Sequence, residues 1–197
     1  MEFKGNTYNG DSIELRAGLF ATVYVDIDDS CEKPWEAEDC HGIIEERRAN
    51  YTGYIPTAPG ERVIFKDRNY GYVYDEKGTL ERARSEGWGL PEKDRQGLTQ
   101  RQITAEAVRR DMDSMRAWLN DEWHYCVVTV RITDSEGMEI ADASLGGVSD
   151  QCAQYITETA NEVLSEALAQ LPDALESTIA KMVAHTESLK AIRTAGI

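Results

Sequence analysis

The segment Glu122-Trp-His-Tyr-Cys-Val-Val-Thr-Val-Arg-Ile-Thr133 is followed by Asp134-Ser-Glu-Gly137 and then by Met138-Glu-Ile-Ala-Asp-Ala-Ser-Leu145. The first and third segments alternate between two sets of side chains, and successive strand residues point to opposite faces of a sheet. The polar segment between them contains glycine and is typical of a turn. The sequence therefore predicts an antiparallel hairpin at the centre of the fold.

The first half of the chain also has strand character. Residues 19–28 alternate apolar with more polar side chains, which predicts a half-buried strand. Glu14 and Leu15 begin its hairpin partner, because Ala17-Gly18 is a plausible turn. Further strands are predicted at 62–65 and 70–74, and a long irregular loop at 29–60.

Helices are predicted for 75–86 and 104–120, the second with apolar side chains at helical spacing behind a capping Thr104. Asp150 is expected to cap a third helix. Pro172 is expected to end it, because proline has no N–H and its ring crowds the preceding turn. A last helix is predicted from 173 to about 193.

These elements predict an α+β fold: an antiparallel sheet with a helical insert and a C-terminal αα-hairpin. We expect a sheet domain over residues 1–150, which includes the long loop 29–60. Residues 151–197 are expected to form a helical hairpin that packs on this domain or mediates dimerisation.

Negative charge dominates the composition, with 36 Asp and Glu against 21 Lys and Arg and a net charge of −15. Between Asp111 and Ser177 there are fourteen acidic residues, and the only bases are Arg116 and Arg131. Such a surface repels nucleic acid and membrane head groups and attracts the basic grooves of proteins that bind them. Direct binding to nucleic acid or to a membrane is therefore not expected.

Composition also limits the class of protein. Hydrophobic residues make up 41% of the chain, which is enough for a folded core. No apolar run approaches the roughly 20 residues of a transmembrane helix, and the N-terminal segment lacks the apolar centre of a secretory signal. Four scattered cysteines are then expected to be reduced thiols: Cys31, Cys40, Cys126 and Cys152.

Two groups of residues invite a chemical interpretation. Asp26, Asp28 and Asp29 follow an apolar strand, as in phosphotransferases that use an aspartyl nucleophile with Mg²⁺. Those enzymes need a parallel sheet, whereas the alternation here favours an antiparallel strand that ends in a solvated acidic turn. A Mg²⁺-dependent phosphoryl-transfer or nuclease-like enzyme is the alternative function.

Cysteine and histidine residues form the second group. Cys31, Cys40 and His41 could bind a metal, but structural zinc sites usually have two close ligand pairs, and the spacing here favours a buried Cys40 and a His41 that orders its loop. His124 and Cys126 lie on one strand face and are expected to face the core. No catalytic residue, cofactor or metal ligand is assigned.

The acidic pattern is regular on the helix after Asp150. Glu158, Glu162 and Glu166 recur every four residues, about 6 Å apart along the axis. Such a row can present itself to a basic groove as a phosphate backbone does, and the alternative is a solvated helix face. Other residues expected to contact a partner are Asp111, Asp113, Asp121, Glu122, Asp142, Trp35, Glu36, Glu38 and Asp39, with Trp35, Trp88 and Trp123 as aromatic anchors.

Three segments carry a resemblance: Pro34-Trp-Glu-Ala-Glu-Asp-Cys-His-Gly-Ile43, Ala83-Arg-Ser-Glu-Gly-Trp-Gly89 and Trp118-Leu-Asn-Asp-Glu-Trp-His-Tyr125. They resemble a family of small proteins encoded by tailed bacteriophages and prophages, over roughly residues 17–170. This family has Asp-Gly-His-Gly where the present chain has Asp39-Cys40-His41-Gly42. The resemblance implies a phage protein in the host bacterial cytoplasm, and it supplies no catalytic residues.

Charge and resemblance together favour an acidic inhibitor of a host defence complex that binds nucleic acid. The expected target is a CRISPR surveillance complex or a restriction enzyme, and the inhibitor would occupy the basic channel of that target. Besides the enzyme, a phage accessory or structural protein is a further alternative. No cofactor is expected, and a homodimer through the C-terminal helices is a further expectation.

Overall fold

A computed structural model describes residues 2–16, 18–37 and 41–194. In chain order the elements are β1 (Ser12–Glu14), β2 (Phe20–Ile27), α1 (Pro34–Ala37), β3 (Ile44–Arg48), β4 (Glu61–Lys66), β5 (Tyr70–Asp75), α2 (Glu76–Glu86), a 3-10 turn (Glu92–Asp94), α3 (Gln100–Leu119), β6 (Tyr125–Thr133), β7 (Glu139–Ser149) and α4 (Ala153–Thr194). The predicted α+β class with antiparallel sheets is confirmed.

The chain divides into two compact units. Met1–Asp29 together with His124–Ile197 forms one, called here the sheet unit, and Ser30–Trp123 forms the other, called the insert unit. The predicted boundary at residue 150 is therefore replaced by boundaries at 29/30 and 123/124. The chain leaves the four-stranded sheet after β2 and returns to it at β6, and the residues between form a separate sheet. The helix after residue 150 packs on the four-stranded sheet, one of the two predicted alternatives, and therefore shares its core.

The sheet unit contains four antiparallel strands in the order β1-β2-β6-β7. The predicted β6–β7 hairpin is confirmed, and the Asp134 N–H closes its turn by donating to the Met138 carbonyl (3.0 Å). Val128, Val130 and Ile132 alternate along β6 and are fully buried. A shift of one residue would turn all three toward solvent, so burial fixes the register of the hairpin.

Helix α4 covers the inner face of this sheet. Its buried side chains follow helical spacing and meet the apolar residues of β2, β6 and β7; they are Ile156, Ala160, Val163, Leu164 and Ala167. The helix begins at Ala153, and Asp150 does not cap it as predicted. The Asp150 carboxylate instead accepts a hydrogen bond from the His124 N–H (2.8 Å), since the end of β7 lies beside the start of β6.

The predicted C-terminal αα-hairpin is wrong, because α4 is one continuous helix of 42 residues with Pro172 inside it. Proline removes one N–H donor from a helix and crowds one carbonyl. In a long helix, the remaining hydrogen bonds can keep the helix continuous through the proline. The helix continues through Asp173-Ala-Leu-Glu176, where Ala, Leu and Glu are good helix formers. Within the described ranges, no helix combines the length and apolar composition that a membrane crossing requires.

The insert unit contains a three-stranded antiparallel sheet in the order β3-β5-β4, together with α2 and α3. Strand β3 and the short helix α1 lie in the segment predicted to be irregular. The sequence of β3, Ile-Glu-Glu-Arg-Arg, is polar because this is an edge strand with mostly exposed side chains. Pairing with β5, rather than a local apolar pattern, makes it a strand.

Helix α3 begins one turn earlier than predicted. Its N-cap is Thr99, which forms a capping box with Gln102. The hydroxyl of Thr104, the predicted cap, donates to the Gln100 carbonyl (3.1 Å) within the helix. The predicted helix 75–86 is confirmed, with the Asp75 carboxylate capping α2 and Gly87 ending it in the left-handed conformation (φ 74°).

Candidate acidic surface and buried histidine cluster

The negative charge is concentrated in the sheet unit. This unit has seventeen acidic residues and six basic ones, a net charge of −11, whereas the insert unit has nineteen and fifteen, a net charge of −4. Between Arg131 and Lys181 the sequence has ten acidic residues and no Lys or Arg. The potential of this unit is therefore strongly negative by composition alone.

Glu158, Glu162 and Glu166 lie on α4 and are exposed, away from the helix face that packs on the sheet. We call these three residues the acidic ridge. Gln154 donates a hydrogen bond to the Glu158 carboxylate (2.8 Å). Among the described residues, no Lys or Arg lies within ion-pair distance of the ridge, so no ion pair neutralises its three carboxylates.

The other acids predicted to contact a partner lie on different elements. Asp142 is exposed on β7, in register with Arg131 of β6. Asp113 pairs with Arg109 and Arg116 (both 2.8 Å), and Glu36 pairs with Lys33 (3.1 Å). Asp121 and Glu122 are exposed at the end of α3, and Glu38 and Asp39 lie outside the described residues. Among the described residues, the ridge is therefore the group of three predicted acids that a single element exposes together.

Asp111 is not a surface acid, which corrects its assignment as a partner contact. Its side chain is only 9% exposed. One carboxylate oxygen lies 2.7 Å from His41 Nδ1, and the other accepts from the Gly42 N–H (2.9 Å) and the Tyr74 hydroxyl (2.7 Å). With these contacts inside the insert unit, Asp111 has little surface to offer a partner.

All three predicted aromatic anchors make contacts within the chain. Trp123 is 5% exposed, and its Nε1–H donates to the Ser114 carbonyl (2.9 Å), so it is a buried residue and not an anchor. Trp35 is half-buried against the rings of Tyr72 and Trp118. Trp88 is half-buried and donates from Nε1 to Glu86 (2.8 Å), at the rim of a cleft.

The contacts of His41 form a polar cluster in the insert unit. Besides the contact with Asp111, the His41 carbonyl accepts a hydrogen bond from Arg82 Nη1 (3.1 Å). Burial raises the pKa of the Tyr74 phenol well above its ordinary range, and the adjacent Asp111 carboxylate raises it further. Tyr74 is therefore a neutral hydrogen-bond donor, and the cluster ties the segment before β3 to α3 and β5.

A cleft of about 390 Å³ lies beside this cluster in the insert unit, with walls from His41, Trp88, Leu90, Pro91 and Ala107. An imidazole held by a buried carboxylate has a fixed orientation, an arrangement that catalytic and metal sites also use. Arg110 and Asp111 also line the cleft. We assign the cluster a structural role because its hydrogen bonds join His41 and Gly42, which precede β3, to α3 and β5. This agrees with the prediction that His41 orders its loop.

The buried role of Asp111 was not predicted from the sequence, although a signal was present. Val108, Asp111 and Met115 follow one another at spacings of three and four, so Asp111 lies on the same helix face as two buried apolar residues. An acid at such a position requires hydrogen-bonding partners. One partner of Asp111 is Tyr74 in the apolar strand β5, and the helical spacing of α3 alone does not identify it.

The aspartates at the end of β2 and just after it do not have the surroundings of a phosphotransferase site. Strand β2 is antiparallel to both β1 and β6. The Asp28 carboxylate accepts a hydrogen bond from the Gly147 N–H (3.0 Å), whereas Asp26 and Asp29 are exposed. In the described part of the chain, no three His, Cys, Asp or Glu side chains are grouped as a metal site would require.

Cys31 is half-buried, Cys126 is buried and Cys40 lies outside the described residues. The chain was compared with protein-family models, with curated proteins and with solved structures, and none of them matches. Function is therefore inferred from the charges and contacts of the chain itself.

Proposed function

We propose that this protein is a phage-encoded acidic inhibitor of a host defence complex that binds nucleic acid. It would act by occupying a basic channel of a CRISPR surveillance complex or a restriction enzyme in the bacterial cytoplasm. The observation that carries the proposal is the acidic ridge, which is exposed in a unit of net charge −11 and which, in the described part of the chain, has no Lys or Arg within ion-pair distance. The inhibitor itself contacts no nucleic acid and uses no cofactor.

The geometry of the ridge suits such a channel. Glu158 and Glu166 are eight residues apart, so the row spans about 12 Å of a rigid helix at a rise of 1.5 Å per residue. Duplex DNA has one phosphate per strand about every 3.4 Å along its axis, and long Lys and Arg side chains can adjust to a wider spacing. Helix α4 holds the carboxylates in a row before binding, because its opposite face is packed on the sheet. Less conformational entropy is then lost when the complex forms.

The acidic surface also explains how a small inhibitor could compete with nucleic acid. Charge complementarity raises the association rate and excludes partners of the same sign, while apolar or aromatic contacts give much of the affinity. The resemblance to bacteriophage proteins supplies the biological context, in which blocking a defence complex benefits the phage. A tagged copy expressed in the bacterial host should capture such a complex, and duplex DNA should compete with the inhibitor for it.

Salt provides a direct test of the electrostatic mechanism. Raising NaCl from 0.1 M to 1 M shortens the Debye length from about 10 Å to about 3 Å, so charges that face each other across a hydrated interface interact much less. We expect the affinity of the inhibitor for the captured complex to fall at least tenfold over this range, measured by biolayer interferometry. An affinity that stays constant from 0.1 M to 1 M would contradict charge mimicry.

A further inference from the structure

The C-terminal half of α4 carries an exposed apolar stripe. Five large apolar side chains in this region are each between 47% and 59% exposed, namely Ile179, Met182, Val183, Leu189 and Ile192. Beyond Leu175, all the described helical residues except the half-buried Thr178 are exposed. Most helical stability in proteins comes from packing an amphipathic face. The exposure of these side chains means that the described residues of the sheet unit do not cover this face.

Two residues of the stripe, Met182 and Leu189, continue a heptad spacing that begins with Leu168 and Leu175. Ile179, also in the stripe, lies one turn after Leu175 on the same side of the helix. A seven-residue apolar repeat is the pattern by which two helices pack side by side. The repeat spans about 32 Å from Leu168 to Leu189 at 1.5 Å per residue, which is three complete heptads. The pattern therefore favours another helix as the occupant of the stripe.

The charges along this segment differ from those of the rest of the chain. Residues 168–194 contain three acids and three bases, so that this segment is neutral in a protein of net charge −15. The acids Asp173 and Glu176 lie near its start, and Lys190 and Arg193 lie near its end. Two copies of a neutral helix can approach each other without the repulsion that the acidic part of the chain would impose.

We infer that the stripe binds a second copy of this chain and that the two helices run antiparallel. Glu176 and Lys190 are fourteen residues apart, close to four complete turns, so both lie on the same flank of the stripe. In an antiparallel pair centred on Val183, Glu176 is level with Lys190 of the second copy, and this contact occurs twice. A parallel pair would instead place Glu176 of one copy level with Glu176 of the other, so that like charges face each other. Charge complementarity therefore selects the antiparallel orientation.

The exposed apolar surface agrees with a dimer of moderate affinity. Monomeric proteins rarely expose contiguous apolar patches larger than about a few hundred Å². A contact between two single helices is smaller than the standard interface of about 1,600 Å², so we expect dissociation in the micromolar range. The inference is independent of the proposed inhibitory function, since it depends only on the end of α4.

The first test compares the oligomeric state of the full-length wild type with that of two single-residue variants. Sedimentation equilibrium from about 1 to 300 µM should give a dimer for the wild type and a monomer for Met182→Glu, which places a charge in the centre of the stripe. Ala184→Glu is the matched control, because it adds the same charge two residues away on the opposite side of the helix and should remain dimeric. Both sites are exposed, and far-UV circular dichroism checks that each variant is folded. A wild type that stays monomeric throughout would overturn the inference.

Charge reversal tests the orientation. Glu176→Lys replaces two attractive pairs by two repulsive ones and should weaken the dimer about tenfold. This variant also lowers the overall negative charge, which would strengthen association if only general repulsion mattered. Glu176→Lys combined with Lys190→Glu restores both the pairing and the net charge, and should return the affinity to within about threefold of the wild type. If the single reversal leaves the affinity unchanged, or the double reversal does not restore it, the helices are not antiparallel in this register.

Discussion

Asp111→Ala is expected to lower the free energy of unfolding of the insert unit by about 3–5 kcal/mol, because it removes a nearly buried acceptor from three donors at once. The His41 imidazole, the Gly42 N–H and the Tyr74 hydroxyl would all lose this partner. Tyr74 is fully buried, so water cannot readily replace the lost hydrogen bond. The segment before β3 would also lose its attachment to α3.

Tryptophan fluorescence during urea unfolding reports on the insert unit and not on the sheet unit, since all four tryptophans of the chain lie in the insert unit. Asp113→Ala is the matched control: it removes the same charge two residues away on α3, and its side chain is 43% exposed. Exposed ion pairs contribute about 0–1 kcal/mol to stability, so the control should change the free energy of unfolding only slightly. Equal effects of the two variants would contradict the structural role assigned to Asp111.

Gly42→Ala is expected to destabilise the same unit by about 3 kcal/mol or more, because overpacking a filled interior forces the backbone or a side chain to move. A Cβ atom at Gly42 would lie 2.4 Å from the Tyr74 ring, far inside van der Waals contact. The ring cannot rotate away without breaking its hydrogen bond to Asp111.

Gly87→Ala is the control for the clash. A Cβ atom there meets no atom within 4 Å, but the residue has a φ of 74°, so only the backbone strain of about 1–2 kcal/mol applies. Urea unfolding followed by tryptophan fluorescence compares the two variants. A Gly42→Ala protein as stable as Gly87→Ala would show that the Tyr74 ring is not held as the structure describes.

The features that the sequence predicted well are those set by local periodicity. Val128, Val130 and Ile132 alternate along β6, and the turn after it closes within four residues, so the hairpin could be read from one segment. The apolar spacing of α3 is equally local. Errors of a few residues at helix starts, as at Thr99, arise because several Thr or Asp residues can serve as caps.

The features that the sequence did not predict depend on distant contacts. Strand β3 is polar and becomes a strand by pairing with β5, which follows some twenty residues later in the chain. Helix α4 continues past Pro172 because neighbouring hydrogen bonds outweigh one missing donor. Asp111 was assigned to the surface by its charge, whereas its burial depends on Tyr74 and on His41, which belong to other elements. The acidic ridge could be predicted from helical spacing alone, and its three side chains are exposed in the structure.

The central claim is that the acidic ridge mediates inhibition, and the triple variant Glu158→Gln, Glu162→Gln, Glu166→Gln tests it most directly. Relief of like-charge repulsion along the helix should leave stability unchanged or raise it by up to about 1 kcal/mol. The matched control is Glu14→Gln, Glu136→Gln, Glu139→Gln, which removes three exposed charges from the strands and the turn of the same unit and none from α4. Both variants therefore have the same net charge.

The measurement is plasmid transformation of bacterial strains with an active CRISPR system or an active restriction system, with each variant expressed at equal level. We expect the wild type and the control to protect the incoming plasmid in one of these strains, and the ridge variant to lose most of that protection while remaining folded. A ridge variant that protects as well as the wild type, or a wild type that protects in neither strain, would contradict the account.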